Sequence, residues 1–281
     1  MKLTQILFLI PLFAGCASAK NPITREMSIR PGEARFMEFS NLQKSNVKLF
    51  CKDKEIQIQR DDTKVKAVIT ESYFSEMNPF TCQLKDRDQI LEEVFFKVEN
   101  KEYKAERLNV DLKRIKLSAK DQKRADAEQV ILNKVYKVSA DKYLFNTGFK
   151  LPLDSYVTSY YGTRRIYNKK KKGQHLGTDF RAAIGVKIPA TNAGRIAFAG
   201  DLFYTGWTVI IDHGLDIYTV YGHLSKTLVK ADQNVLQGEI IGLSGNTGRT
   251  SGPHLHWGVK IQGDYVDGHN LIEESTKFFP E

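Results

Sequence analysis

No histidine occurs before position 175, and none of the six lies in an HExxH motif. The first absence keeps imidazole-based metal chemistry out of the first half of the chain. The second removes the glutamate base that a zincin helix would supply. Internal repeats and long low-complexity tracts are missing too, so a repeat array is excluded. Cysteine is scarce, at three residues, and one of these, Cys16, sits in the leader described below. With no histidine near them, Cys51 and Cys82 do not read as a zinc site. An even pair in an exported chain reads as a disulfide, worth roughly 3.5 kcal/mol on the chain-entropy model. The alternative is two buried thiols.

What is present is ordinary globular composition: 281 residues, 41% hydrophobic and 27% charged, room for two modest domains. The net charge is +9. A basic balance favours polyanionic partners such as nucleic acid, anionic lipid or an acidic cell-wall polymer. The leader MKLTQILFLIPLFAGCASAK narrows that choice. One lysine precedes an apolar run from Ile6 to Ala14, too short to span a membrane, and small residues follow. Phe13-Ala14-Gly15-Cys16 resembles a lipobox, which would leave Cys16 lipidated and anchor the protein to a membrane. Ala17-Ser18-Ala19 is a competing cleavage site that would release a soluble form. The lipobox reading is preferred, although Phe13 stands where leucine is commoner. Residues 1–19 are taken as the signal segment, cut before Cys16 in the first reading and after Ala19 in the second, and both readings place the protein in the periplasm or at the outer membrane. Nucleic acid then drops out as a partner.

Residues 20–117 alternate in short β-like runs: VKLF, EIQIQ, VKAVIT, FTCQL and EVFFKV. Turn signals at Pro31-Gly32 and Asn78-Pro79 separate them. The expectation is a small, immunoglobulin-like β-sandwich that folds apart from the rest. KAERLNV reads as the hairpin partner of EVFFKV. Residues 118–148 read as a helical linker, with Ser118 as N-cap, Asp121 in the first turn and a partial apolar stripe through Val130, Leu132 or Ile131, Val135 and Val138. Residues 149–281 are rich in short strands and glycines, which predicts an antiparallel, all-β domain without a long amphipathic helix. The fold class is therefore mainly β.

Five of the six histidines fall between positions 175 and 256. In HLGTD, His175 and Asp179 have HxxxD spacing; Gly177 and Thr178 argue against a helix, but a strand ending in a bend brings both inward. In HLHWG, His254 and His256 stand on one face of a strand, with Leu255 and Trp257 on the other. Two ligands from HxxxD and one from HLH make three, the open pattern of a catalytic zinc site. His223, in YGHLS, and the second HLH histidine are left over for proton transfer and transition-state hydrogen bonding. Spacing does not decide which HLH histidine binds metal.

Taken together, HLGTD, YGHLS, GLSGNTGRTSG and PHLHWGV, preceded by SYYGTRR, resemble the LytM/lysostaphin-type zinc endopeptidases that cut peptidoglycan cross-links. The resemblance covers about residues 150 to 268; only VDG at Val266–Gly268 departs, where V-D-P is common. It implies zinc held by His175, Asp179 and His256, with His223 and His254 catalytic. His254 is the expected base and His223 the expected oxyanion donor. Peptidoglycan stem peptides are the implied substrate and a monomer the expected state, with the D-Ala–meso-diaminopimelate cross-link as the default target beside glycine bridges and L,D cross-links. The alternative is an inactive, LytM-like scaffold that binds peptidoglycan or activates an amidase. Among other residues, Tyr204 and Trp207 are expected to line a substrate groove, His213 to be structural, and His269 to lie at the surface. The run Lys169–Lys172 reads as a solvated loop.

Overall fold

A computed structural model describes residues 22–40, 46–108, 117–167 and 171–280. The leader with Cys16 lies outside the described residues, as do Lys169, Lys170 and the side chains of Lys171 and Lys172.

The N-terminal strands are β1 (Ile23–Ile29), β2 (Ala34–Ser40), β3 (Val47–Cys51), β4 (Lys54–Ile56), β5 (Gln59–Arg60), β6 (Lys64–Thr70), β7 (Phe80–Asp86) and β8 (Gln89–Val98). They form a five-stranded sheet, β1-β8-β7-β3-β4, facing a three-stranded sheet, β2-β6-β5. Alternating residues such as Phe39, Leu49, Ile69, Leu84 and Phe96 fill the space between them. Cys51 and Cys82 face each other across β3 and β7 and are joined by a disulfide.

β2 and β6 are buried on both faces. Met37, Phe39, Val65, Ala67 and Ile69 point into the sandwich. Ala34, Phe36 and Val68 point the other way, into the core of the C-terminal half. Here the structure differs from the expectation of a sandwich standing apart. The double-sided pattern was visible in β2, but alternation alone does not say that the second face meets another layer. Polar contacts reinforce the junction: Ala34 N donates to Asn270 Oδ1 at 2.7 Å, and Gln262 Nε2 donates to Val68 O at 2.7 Å.

KAERLNV is not a hairpin partner. β8 is already paired on both edges, with β1 and β7. β9 (Ala105–Leu108) instead runs parallel to β11 (Arg164–Tyr167), which pairs on its other side with β12 (Lys171–Gln174). Next comes α1 (Ala119–Val135), capped by Ser118, whose hydroxyl accepts from the Asp121 amide at 3.1 Å. The segment after it is not a spacer, because Tyr143, Phe145 and Phe149 are core residues.

The remaining strands are β10 (Val157–Ser159), β13 (Thr178–Arg181), β14 (Lys187–Pro189), β15 (Gly194–Leu202), β16 (Gly206–Asp212), β17 (Ile217–Thr227), β18 (Asn234–Val235), β19 (Ile240–Ser244), β20 (His254–Ile261) and β21 (Asp264–Val266). They make a ten-stranded sheet with the spine β10-β13-β20-β17-β16-β15-β18 and antiparallel pairing along it. Leu255, Trp257, Val259 and Ile261 of β20 point into the core, as the alternation predicts. A second helix, α2 (Gly268–Phe278), capped by Asp267, packs Phe278 against Phe36 of β2 with ring centroids 5.5 Å apart. The sequence reading missed this short helix.

α1 lies on the sheet face opposite the main core. Leu132 and Tyr136, one turn apart, pack on Ile210, Tyr218 and Val220. Arg124 bonds Asp201 at 2.8 Å, and Glu128 Oε2 accepts from the Phe203 amide at 2.7 Å. This is also the face that carries the histidines.

Candidate metal centre and active site

Antiparallel pairing sets Asp179 of β13 directly opposite His256 of β20. His175 lies just before β13, where the chain bends through Gly177. The bend needs a glycine there. A Cβ on Gly177 would sit 2.5 Å from His256 Cε1 and 2.7 Å from its Nε2. The ring of His256 occupies the space that any side chain at 177 would take.

Three donor atoms converge. His175 Nε2 and His256 Nδ1 lie 3.0 and 2.8 Å from Asp179 Oδ1, and 3.3 Å from each other. His175 and Asp179 are buried and His256 half-buried. Burial lowers the affinity of His175 for a proton, against the pull of Asp179. Burial would raise Asp179, but hydrogen bonds from His175 and His256 outweigh it and hold the carboxyl well below its ordinary range. Two imidazoles and a carboxylate, ready to be deprotonated and within one ion's reach, suit a divalent metal of the zinc type.

His223 arrives by a different route. Between Tyr221 and Leu224, β17 carries one residue more than its partner β16, which spans only Val209 to Trp207. This β-bulge places His223 in the left-handed region, at φ 59°. The bulge re-aims a ring that strict alternation would send into the core. Its Nδ1 donates to Thr247 O at 2.8 Å, so its Nε2 is the free nitrogen. Burial pushes this imidazole down to about 4, partly offset by the Thr247 carbonyl. His254 is held in the same way: its Nδ1 donates to Gly252 O at 2.8 Å, and its Nε2 lies 3.6 Å from Asp179 Oδ1. The His223 and His254 rings are 4.6 Å apart. The loop GLSGNTGRTSG thus acts as a socket, supplying both carbonyls that fix the two tautomers.

Residues 173–268 match peptidase family M23. The chain carries an M23 domain. Over 121 residues it is 41% identical to the peptidoglycan DD-endopeptidase ShyA of Vibrio cholerae, which is 42% of this chain and 28% of ShyA. Over 93 residues it is 41% identical to the DD-carboxypeptidase/endopeptidase Mpg of Neisseria meningitidis, 33% of this chain and 21% of Mpg. The chain therefore spans less than a third of the length of these curated relatives. The crystal structure of a Pseudomonas aeruginosa protein assigned to peptidase M23 aligns over 91% of this chain and 97% of its own, with TM-score 0.67 and 25% identity. That alignment takes in the N-terminal sandwich as well as the M23 domain.

Within the M23 domain, the structure gathers His175, Asp179, His223, His254 and His256 into one cluster. Tyr204 and Trp207 stay exposed on the β15–β16 hairpin, whose Thr205 carbonyl accepts from the His223 amide at 2.6 Å. His213 is fully buried, with Nδ1 2.7 Å from Ala193 O and Nε2 2.7 Å from Thr219 Oγ1, far into the core beside Phe149. His269 sits at the start of α2, its ring near Tyr160. Sequence reasoning passed over Ser159 and Arg165, both beside His175 and Asp179. Their only signal was the segment SYYGTRR. A cavity between α1 and the sheet, lined by Leu132, Tyr136, Thr205, Val220, His256 and Tyr265, opens on the same face.

Proposed function

We propose that this protein is a zinc-dependent endopeptidase that hydrolyses peptide cross-links of peptidoglycan in the cell envelope. The observation that carries the reading is the cluster itself: three converging donor atoms flanked by two further histidines whose Nδ1 atoms are tied to carbonyls. The names of ShyA and Mpg supply the substrate class.

His175, Asp179 and His256 would hold the zinc. Zinc in such a site supplies Lewis-acid polarisation of a carbonyl oxygen and an acidified water molecule. The chain's own residues do the rest. His254, with its Nδ1–H committed to Gly252, offers Nε2 as the proton acceptor. His223 is neutral when the cleft is empty, because burial disfavours its charge. Negative charge developing on the substrate oxygen favours a second proton on this ring; Nε2 takes it up from water, and the Nε2–H so formed donates to that oxygen. His223 is buried and His254 half-buried, which limits water around both rings. In this reading the protein works as an exported monomer, membrane-anchored through Cys16.

The test uses defined muropeptide dimers and mass spectrometry of the released fragments. Zinc content should fall in H175A, D179A and H256A and persist in H223A and H254A. The last two should lose about 10²–10⁴-fold in turnover. Full zinc occupancy in H256A would sink the ligand assignment. Binding without cleavage by the zinc-loaded wild type would favour the scaffold reading.

A further inference from the structure

We propose that Arg165 is a positioning residue for the metal ligands, steering Asp179 through its outer oxygen and His175 through Ser159. This rests on the reading of His175, Asp179 and His256 as the ligand set.

The two oxygens of Asp179 have different surroundings. Oδ1 faces the two ligand histidines, at 3.0 and 2.8 Å. Oδ2 faces away from them, 3.5 Å from Arg165 Nη2. The same Nη2 donates to Ser159 Oγ at 2.9 Å, and Ser159 Oγ lies 3.1 Å from His175 Nδ1. For His175 Nε2 to offer a lone pair inward, its Nδ1 must carry the hydrogen. Ser159 Oγ and Tyr160 O, the latter at 3.2 Å, are the acceptors for it. Ser159 thus accepts from the arginine on one side and the imidazole on the other. Ser159, Asp179 and His175 are all buried, so the network has little competition from water.

The guanidinium suits this task. It never loses its charge, it cannot accept a hydrogen bond, and its Nη2, held in the guanidinium plane, faces both acceptors at once. With Oδ2 engaged, Asp179 presents one oxygen to the ion. Arg165 is itself placed by backbone pairing: β11 is clasped between β12 and β9, with Arg165 opposite Gly173 and Glu106. Both Arg165 and Ser159 precede the segment matched to family M23, so the site is held in place partly from outside that segment.

Two effects of Arg165 oppose each other. Its orientation of Asp179 and His175 favours metal binding, and its positive charge opposes a dication. The variants R165K and R165M separate them, since lysine keeps the charge and loses the planar, fixed donor geometry that sets Nη2 between Asp179 and Ser159. Zinc affinity is read by competition with a chromophoric chelator, on the full chain. If positioning prevails, both variants lose about 10–100-fold in affinity, the usual effect of removing an outer partner of a ligand. Cobalt substituted for zinc should show a changed visible spectrum in both, as Asp179 becomes free to turn its second oxygen inward. S159A should lose less affinity and keep the wild-type spectrum, because it breaks only the link to His175. S159A also serves if an Arg165 variant fails to fold: undiminished affinity in S159A overturns the network. Tighter zinc binding in R165M with wild-type binding in R165K would show that charge alone matters and would overturn the proposal. A wild-type protein that binds no zinc would instead remove the ligand reading on which it rests.

Discussion

Acidification should destabilise this fold through His213, and the size of the effect can be worked out from the structure. The ring is fully buried among Phe145, Phe149 and the strands β15 to β17. Burial pushes its proton affinity from the ordinary 6.5 down to about 4, against the Ala193 carbonyl and the neighbouring Asp212. Asp212 gives limited help, because its carboxylate is already engaged by Arg195, Ser139 and two backbone amides. The sign follows from which state binds the proton. The unfolded chain takes it up below pH 6.5 and the folded protein only near pH 4. Stability is therefore complete above about 6.5 and declines as pH falls towards 4. Linkage gives a loss of about 2 kcal/mol between pH 7.5 and pH 5, rising to about 3 kcal/mol at the bottom of the window. Urea unfolding of wild type and H213Q at closely spaced pH values measures it. The variant is expected to be less stable throughout, but the quantity compared is the pH slope. The wild type should lose about 2 kcal/mol more than H213Q across that interval. Parallel slopes, or an NMR titration of His213 centred above pH 6, would refute the argument.

Three further outcomes are expected. G177A should lose metal while remaining folded, because its methyl group would meet the His256 ring at 2.5 Å; full zinc content by elemental analysis would contradict this. F36A should cost about 3 kcal/mol, since a large buried ring is removed. Both tryptophans, Trp207 and Trp257, lie in the C-terminal half, so tryptophan fluorescence should report the shift even though Phe36 belongs to the sandwich; an unmoved transition would mean that the two halves unfold independently. Replacing Cys51 and Cys82 together by serine should cost about 3.5 kcal/mol by freeing a loop closed across 31 positions, and an unchanged melting temperature would exclude the bridge as a stabilising element.

The legible features of the sequence are those set by local periodicity. HLHWGVKI alternates so regularly that its two faces could be assigned in advance, and Ser118 with Asp121 marked the start of α1. The disulfide was legible because Cys51 and Cys82 are an even pair in a chain whose leader reads as an export signal. Features set by distant neighbours were not. β9 has the composition of a hairpin strand, and only the occupied edges of β8 send it to β11. His223 sits on a bulge that no residue type announces, although a histidine in the left-handed region is unusual. Gly177 read as a helix breaker; its closer role is to leave room for His256. Arg165 looked like one more basic residue in a chain with 42 lysines and arginines. The role proposed for it depends on β11 lying beside Ser159 and Asp179, and that is a matter of tertiary pairing.

The double-sided burial of β2 has a consequence in time. A chain made from its N-terminus completes the strands of the sandwich early, yet the outer face of β2 has no cover. Phe36 waits for Phe278 and Phe279, far downstream. At about 5–20 residues per second of synthesis, that interval is on the order of ten seconds or more. Throughout it the nascent sandwich shows an apolar surface, and in its early part, until β11 is made, β9 is a strand without its partner. Both are invitations to wrong association. The closing contacts of the fold are therefore made between its earliest strands and a late helix, so a chain interrupted before α2 carries a finished sandwich core and an unfinished surface, a ready target for chaperones and proteases.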